Sequence, residues 1–294
     1  MRREKLVDAA AAVATIRDGD TVAIGGHSLR RHPMALVREI VRQRRRRLRL
    51  QGWNNGVDVD MLVGAGCAVS VETAYVGLLA LGLAPNFRRA CEQGTVEVIE
   101  HSETTALDMF RATAMGAPFL PTKAPLGTDL MRTNPHLTEM RCPFTGEPFA
   151  AVRAARPDVA IIHAHRADRF GNVQIDARQW PDNTADVAIA KAARRVIVSV
   201  ECIVSDDEIC ATASLTVLPR AFVSAVVEAP YGAHPCACDA RYGWDLAELR
   251  RYAEAAAAPS FAGYLEDRVF AARDHRGYLA RVGLDPALAV PTTR

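Results

Sequence analysis

The sequence has 294 residues, 49% hydrophobic and 24% charged, with 36 basic against 34 acidic side chains and a formal net charge of +2. That balance suits a globular chain with a substantial core and excludes a disordered or fibrous one; near-neutral charge points to no polyanionic partner. Apolar runs such as Asp158 to Ala164 fall far short of the ~20 residues a membrane helix needs, Met1 to Asp8 lacks the pattern of a cleaved leader, and the seven scattered cysteines read as reduced thiols. A cytoplasmic chain without a membrane span is expected.

In chain order, Lys5 to Arg17 is Ala-rich with apolar positions at helical spacing, Asp18-Gly19-Asp20 is a turn, and Thr21 to Ile24 is a strand followed by Gly25-Gly26. Pro33 opens a second helix reaching about Arg46, with Met34, Leu36, Val37, Ile40 and Val41 as its apolar side. Strands are predicted at Leu48 to Trp53, Val69 to Tyr75, Thr95 to Ile99, Val159 to His163, Val196 to Val200 and Phe222 to Val227, with helical or breaker-containing stretches between them. Repeated strand-helix-strand order predicts an α/β fold, an open and mostly parallel sheet with helices on both faces, whose ligands sit beyond the strand C-terminal ends. Residues 118–148, with Pro121, Pro125, Gly127, Pro135, Pro143 and Gly146, hold too many breakers for a regular element and read as a loop-rich excursion within one domain spanning 1–294.

Gly25-Gly26 at a strand end permits positive φ and close approach of a ligand to the backbone, which alone is a common feature of strand-to-loop junctions. Extended from Asp18-Gly19-Asp20 through His27-Ser28-Leu29-Arg30-Arg31-His32-Pro33, the stretch resembles the signature of class I CoA-transferases: Asp-Gly, apolar residues, Gly-Gly-Phe and a Gly-x-Pro. His27 stands for the Phe and Arg31 for the second Gly, departures similar to A subunits of the glutaconate CoA-transferase type. Pro118-Phe119-Leu120-Pro121, Leu126-Gly127-Thr128-Asp129, Cys142 to Glu147, Asp158 to Asp176 and Pro230 to Cys236 resemble the same group; the strand ending in Asp168-Arg169-Phe170-Gly171-Asn172 is the most specific of them.

The resemblance implies the NagB/RpiA-type superfamily fold, no tightly bound cofactor, a CoA thioester as substrate, and a B subunit, in an A2B2 assembly, carrying the nucleophilic glutamate in a Ser-Glu-Asn-Gly motif. That glutamate would attack the thioester to form an acyl anhydride, and CoA thiolate would then convert it to a glutamyl-CoA thioester. It also implies a substrate or CoA contact near Gly25, Gly26, Ser28, Arg30, Arg31, Gly171 and Asn172, with backbone N–H groups beside the glycine pair stabilising the oxyanion. The chain has no Ser-Glu-Asn-Gly; its nearest counterpart is His101-Ser102-Glu103-Thr104, where Ser102 or Thr104 would cap a helix and Glu103 would sit favourably at its N-terminus. A-type chains similar to this one also occur in ring-opening hydrolases of steroid catabolism. There a glutamate at the position of Glu103 is catalytic, and would act as general base in cleaving a carbon–carbon bond of a cyclic keto-acyl-CoA.

Other readings carry less. Gly26-His27-Ser28-Leu29-Arg30 lacks the second Gly of a nucleophile elbow, and Gly64-Ala65-Gly66 lacks both the third Gly and the preceding strand of a dinucleotide fingerprint. His163, His165 and Asp168, or His234, Cys236 and Cys238, do not complete a four-ligand spacing, so no metal is expected. Arg42, Arg44 to Arg47 and Arg49 read as a solvated helix end rather than a nucleic-acid patch. A noncatalytic ligand-sensing role, as in repressor sensor domains of related fold, calls for a DNA-binding domain before Lys5 and is the least favoured expectation.

Overall fold

The computed structural model describes residues 3–176 and 183–285. Both ends of the single domain expected over 1–294 lie outside those residues. The first half of the chain runs α1 (Ala9–Ala14), β1 (Thr21–His27), α2 (Met34–Arg42), β2 (Leu48–Asn55), α3 (Val57–Gly64), β3 (Ala68–Thr73), β4 (Tyr75–Val76), α4 (Pro85–Glu92), β5 (Glu97–Glu100) and α5 (Glu103–Ala114). It continues with β6 (Phe119–Thr122), α6 (Leu130–Thr133), β7 (Leu137–Arg141), β8 (Pro148–Arg153), β9 (Val159–Ala167), β10 (Val173–Gln174), α7 (Asn183–Ala192), β11 (Arg195–Ile203), α8 (Asp206–Ala211), β12 (Thr216–Leu218), β13 (Ala225–Glu228) and α9 (Leu246–Ala257).

Strands β13, β11, β9, β1, β2, β3 and β5 pair in that spatial order, each parallel to its neighbour. The short β10 pairs antiparallel with β9 and in turn with β12, extending β9 beyond the end of β1. Alternate residues of the central strands serve two cores. Val22 and Ile24 of β1 and Val159 and Ile161 of β9 pack with α2 and α3 on one face. Ala23, Ala160, Ile162 and Ala164 pack with α5 and α7 on the other. Burial on both faces, at about 1.5–3 kcal/mol for each large apolar side chain, explains why these strands read as continuous hydrophobic runs.

Element ends have local causes. The turn before β1 is closed by Asp18 accepting from the Arg46 N–H and Asp20 from the Arg17 N–H, with Gly19 at φ +86°. Helix α2 carries the expected apolar stripe but stops at Arg42, because Arg44 and Arg47 adopt left-handed backbone at φ +55° and +58°. Part of the arginine run is tied to the fold: Arg42 donates to the Val269 and Ala272 carbonyls, Arg46 to those of Ala65 and Gly66, and Arg49 to that of Gly19. The first helix is shorter than its pattern, with Asp8 capping the Ala11 N–H. Residues 5–7 are instead drawn along β13: Val7 N–H donates to the Val226 carbonyl, Val226 N–H to that of Lys5, and Lys5 N–H to that of Arg169.

The excursion at 118–148 differs from its expectation. It holds β6, α6 and β7 and, with β8, makes a three-stranded antiparallel sheet in the order β6-β8-β7. The prolines do not prevent this, because Pro121 lies on edge strand β6 and Pro148 begins β8, where a missing N–H is tolerated.

Candidate active site

The carboxyl ends of β1, β2 and β5 converge where α5 begins. Ser102 caps α5 by accepting from the Thr105 N–H at 3.2 Å, while Thr105 Oγ1 accepts from the Ser102 N–H at 3.0 Å. This closed box places Glu103 at the first helical position, exposed and at the positive end of the helix dipole. From the end of β2, Asn54 Nδ2 donates to Glu103 Oε1 at 2.8 Å, and Asn54 Oδ1 accepts from Ser28 Oγ at 3.3 Å. The Ser28 N–H donates to the Asn54 carbonyl at 2.7 Å. Ser28, Asn54 and Glu103 thus form a chain in which two buried polar side chains orient one exposed carboxylate. His27 closes the other side, its ring 4.9 Å from that of Trp53 and its Nε2 3.3 Å from Asn54 Nδ2.

The glycine pair acts differently from the expectation. Gly26 N–H donates to Asp186 Oδ1 at 2.7 Å, and His27 N–H donates to the Arg30 carbonyl at 2.9 Å. With the Ser28 N–H taken by Asn54, three consecutive amides of the loop already have protein acceptors, so the oxyanion role expected beside Gly25 and Gly26 is not what these amides offer. The glycines are required by contacts within the chain. A Cβ on Gly25 would lie 2.7 Å from Asp186 Oδ1, and one on Gly26, at φ +99°, 2.5 Å from His32 Nδ1.

Arg31 is likewise turned inward. Only 2% exposed, its guanidinium donates to Asp186 Oδ2 at 2.5 Å and to the His163 carbonyl at 3.3 Å. Burial works to lower its pKa, but Asp186 holds it above the ordinary arginine value. Arg30, the other arginine expected to meet a substrate anion, is half-buried and lies 3.2 Å from Asp239. It borders an open cavity of about 490 Å³ with Arg241, Tyr242 and Trp244.

Gly171 and Asn172 belong to the turn after β9. Asp168 Oδ1 accepts from the Phe170 and Asn172 N–H groups at 2.9 Å each, and Asn172 Oδ1 accepts from the Arg220 N–H at 3.0 Å. A Cβ on Gly171, at φ +99°, would lie 3.1 Å from Val223 Cβ and 3.2 Å from Lys5 Cδ. The sequence motif is explained by this closed turn, on a different part of the chain from the Glu103 group.

Beneath the signature loop lies a buried network that sequence reading did not assemble. His163 Nε2 lies 2.6 Å from Glu201 Oε1, which also accepts from the Tyr242 hydroxyl at 2.6 Å, while Glu201 Oε2 accepts from the Tyr231 N–H at 2.8 Å. His163, Glu201 and Cys238 have metal-ligand chemistry and spacing, yet all are buried and Glu201 is occupied by these donors. His165 is held by the Asp239 carbonyl at 2.6 Å, and burial pushes its pKa down to about 4. Asn54 was also missed: a polar residue ending an apolar strand is its only sequence signal, and no motif marks it.

Comparison with known proteins matches this architecture. A family model described as coenzyme A transferase matches residues 6–229. The chain is 33% identical to the A subunit of glutaconate CoA-transferase from Acidaminococcus fermentans over 288 residues, covering 91% of this chain and 88% of that one. It is 34% identical to the cholesterol ring-cleaving hydrolase IpdA subunit of Rhodococcus jostii over 270 residues, covering 88% and 89%. An uncharacterized Archaeoglobus fulgidus protein is 38% identical over 95% of this chain, which spans only 62% of that relative's length. The crystal structure of the Acidaminococcus glutaconate CoA-transferase superposes with a TM-score of 0.88 over 98% of both chains, at 31% identity.

Proposed function

The chain belongs to the coenzyme A transferase family, and from that premise we propose that it is the A subunit of a heteromeric enzyme moving CoA between an acyl-CoA and a carboxylate acceptor. One observation carries the reading. In the signature loop the amides of Gly26, His27 and Ser28 are directed at Asp186, Arg30 and Asn54, so these three offer a substrate neither a nucleophile nor an oxyanion donor. Half of a transferase site is thus supplied here, and the nucleophile and oxyanion donors come from a B subunit.

On this reading the partner's glutamate attacks the thioester carbonyl and expels CoA thiolate. The thiolate attacks the glutamyl carbonyl of the resulting anhydride and releases the first acid; the second carboxylate reverses the sequence. CoA is a substrate rather than a resident cofactor. The assembly is A2B2 and cytoplasmic, in keeping with cysteines that are all unpaired.

A second reading is favoured by the Asn54–Glu103 bond. A carboxylate with one oxygen fixed by an amide and the side chain exposed has the form of a general base for water, as ring-opening hydrolysis of a cyclic keto-acyl-CoA requires. The test is Glu103→Gln in the enzyme produced with its B subunit. Transferase chemistry predicts CoA exchange that survives within about tenfold, whereas a general base predicts a loss of roughly 10²–10⁴-fold in ring-opening hydrolysis. Exchange by this chain without its partner would overturn the split-site model.

A further inference from the structure

Beside the start of α5, with His101 two residues before Glu103, three ligand-type side chains from separate stretches meet. Glu72 of β3 has its Oε1 3.0 Å from Nε2 of His101, the residue after β5, and 2.5 Å from Nδ1 of His136, just before β7. The three ligand atoms lie within 4.8 Å of one another. The Glu72 and His101 side chains each have a second hydrogen bond that fixes their aim, and the backbone of His136 is held by a third. Gln51 Nε2 donates to Glu72 Oε2 at 2.7 Å, His101 Nδ1 lies 3.1 Å from Thr105 Oγ1, and the backbone N–H of His136 donates to Asn134 Oδ1 at 2.7 Å. Asn134 in turn donates to the Glu100 carbonyl at 2.7 Å, pinning the loop to the end of β5.

The group is not sealed. Glu72 and His136 line a cavity of about 610 Å³ that also receives Arg49, Arg153 and Arg156, and the His136 side chain is 25% exposed. We propose that Glu72, His101 and His136 form a binding site for a divalent transition metal of the zinc type, whose fourth position opens into this cavity. Two imidazoles and one carboxylate are a donor set that suits zinc, and three protein ligands leave one position for water or a small anion. The hydrogen bonds around the group do the work of an outer shell. With the His101 Nδ1–H donating to Thr105 Oγ1, the Nε2 lone pair faces the Glu72 oxygen, and a cation between them replaces the proton that otherwise joins the two. Arg49, Arg153 and Arg156 make the cavity attractive to an anion that completes the coordination. Metal binding here is independent of which acyl-transfer or hydrolytic reaction the enzyme performs.

The test uses the enzyme with its B subunit, stripped with a chelator, reloaded with Zn²⁺ or Co²⁺ and dialysed. One equivalent of zinc per copy of this chain should remain, and the cobalt form should show the intense visible absorption of a tetrahedral N/O site. Gln51→Ala should weaken zinc affinity by about tenfold as an outer-shell change, and His136→Ala by more, with the heteromer retained. Absence of stoichiometric zinc, a cobalt spectrum matching the hexaaqua ion, or equal retention by His136→Ala would each overturn the proposal. Should His136→Ala fail to assemble, the cobalt spectrum of the unaltered enzyme decides the matter.

Discussion

At Asn54 the amide donates to Glu103 while its oxygen accepts from Ser28, so truncation to alanine removes both ends of the relay. A hydrogen bond to a charged group is worth about 1.5–3 kcal/mol, so Asn54→Ala should lower turnover roughly 10- to 100-fold wherever Glu103 has a chemical role. Steady-state kinetics on the assembled enzyme read this; unchanged turnover would leave Asn54 as support for the β2 end alone. Gly26 tests the loop. At φ +99°, with a new Cβ only 2.5 Å from His32 Nδ1 and 2.8 Å from the Arg30 carbonyl, Gly26→Ala should cost about 3 kcal/mol in urea unfolding. Asp186→Ala should cost about 3–5 kcal/mol, because it leaves Arg31 charged and buried and the Gly26 N–H without its acceptor.

Helix α5 joins stability to the site. Ser102→Ala opens the capping box, at about 1 kcal/mol, and loosens the first turn on which Glu103 sits. A fall in activity no larger than that of Glu103→Gln should accompany it; unchanged activity would leave the cap purely structural. Elements such as β1, β9 and α2 were legible in the sequence because their residues face two cores or one apolar stripe, which imposes a period on the chain. The sheet formed by β6, β7 and β8 was not, since its prolines sit on an edge, at a strand start or in turns, and composition alone does not separate those places from a loop. Glu103 was legible as a helix-start carboxylate beside a family motif. Asn54, and the meeting of Glu72, His101 and His136, required the fold, because strand order rather than sequence distance brings them together.

Across the molecule, two buried histidines contribute to the response to acid. Burial depresses His165 to about 4, and burial with the nearby Arg38 charge depresses His275 to about 3. Below a pKa near 6.5 the unfolded chain binds protons that these folded sites refuse, so their contribution is intact above that pH and is lost as pH falls from 6.5 toward 4 and then 3. The His165 shift alone corresponds to roughly 3 kcal/mol. Urea midpoints should fall steeply between pH 6.5 and 4, and His165→Gln, which keeps a donor for the Asp239 carbonyl, should flatten the slope; a pH-independent midpoint would contradict it.

The ribbon of residues 5–7 along β13 bears on how the chain avoids unwanted company. It occupies backbone groups of a strand at the rim of the sheet, and Lys5 Nζ anchors it further on the Val223 carbonyl at 2.7 Å. Strip that ribbon away and β13 becomes a bare template for pairing with another molecule. A chain shortened through Val7 would therefore clump as its concentration rises, even with every side chain around Glu103 untouched.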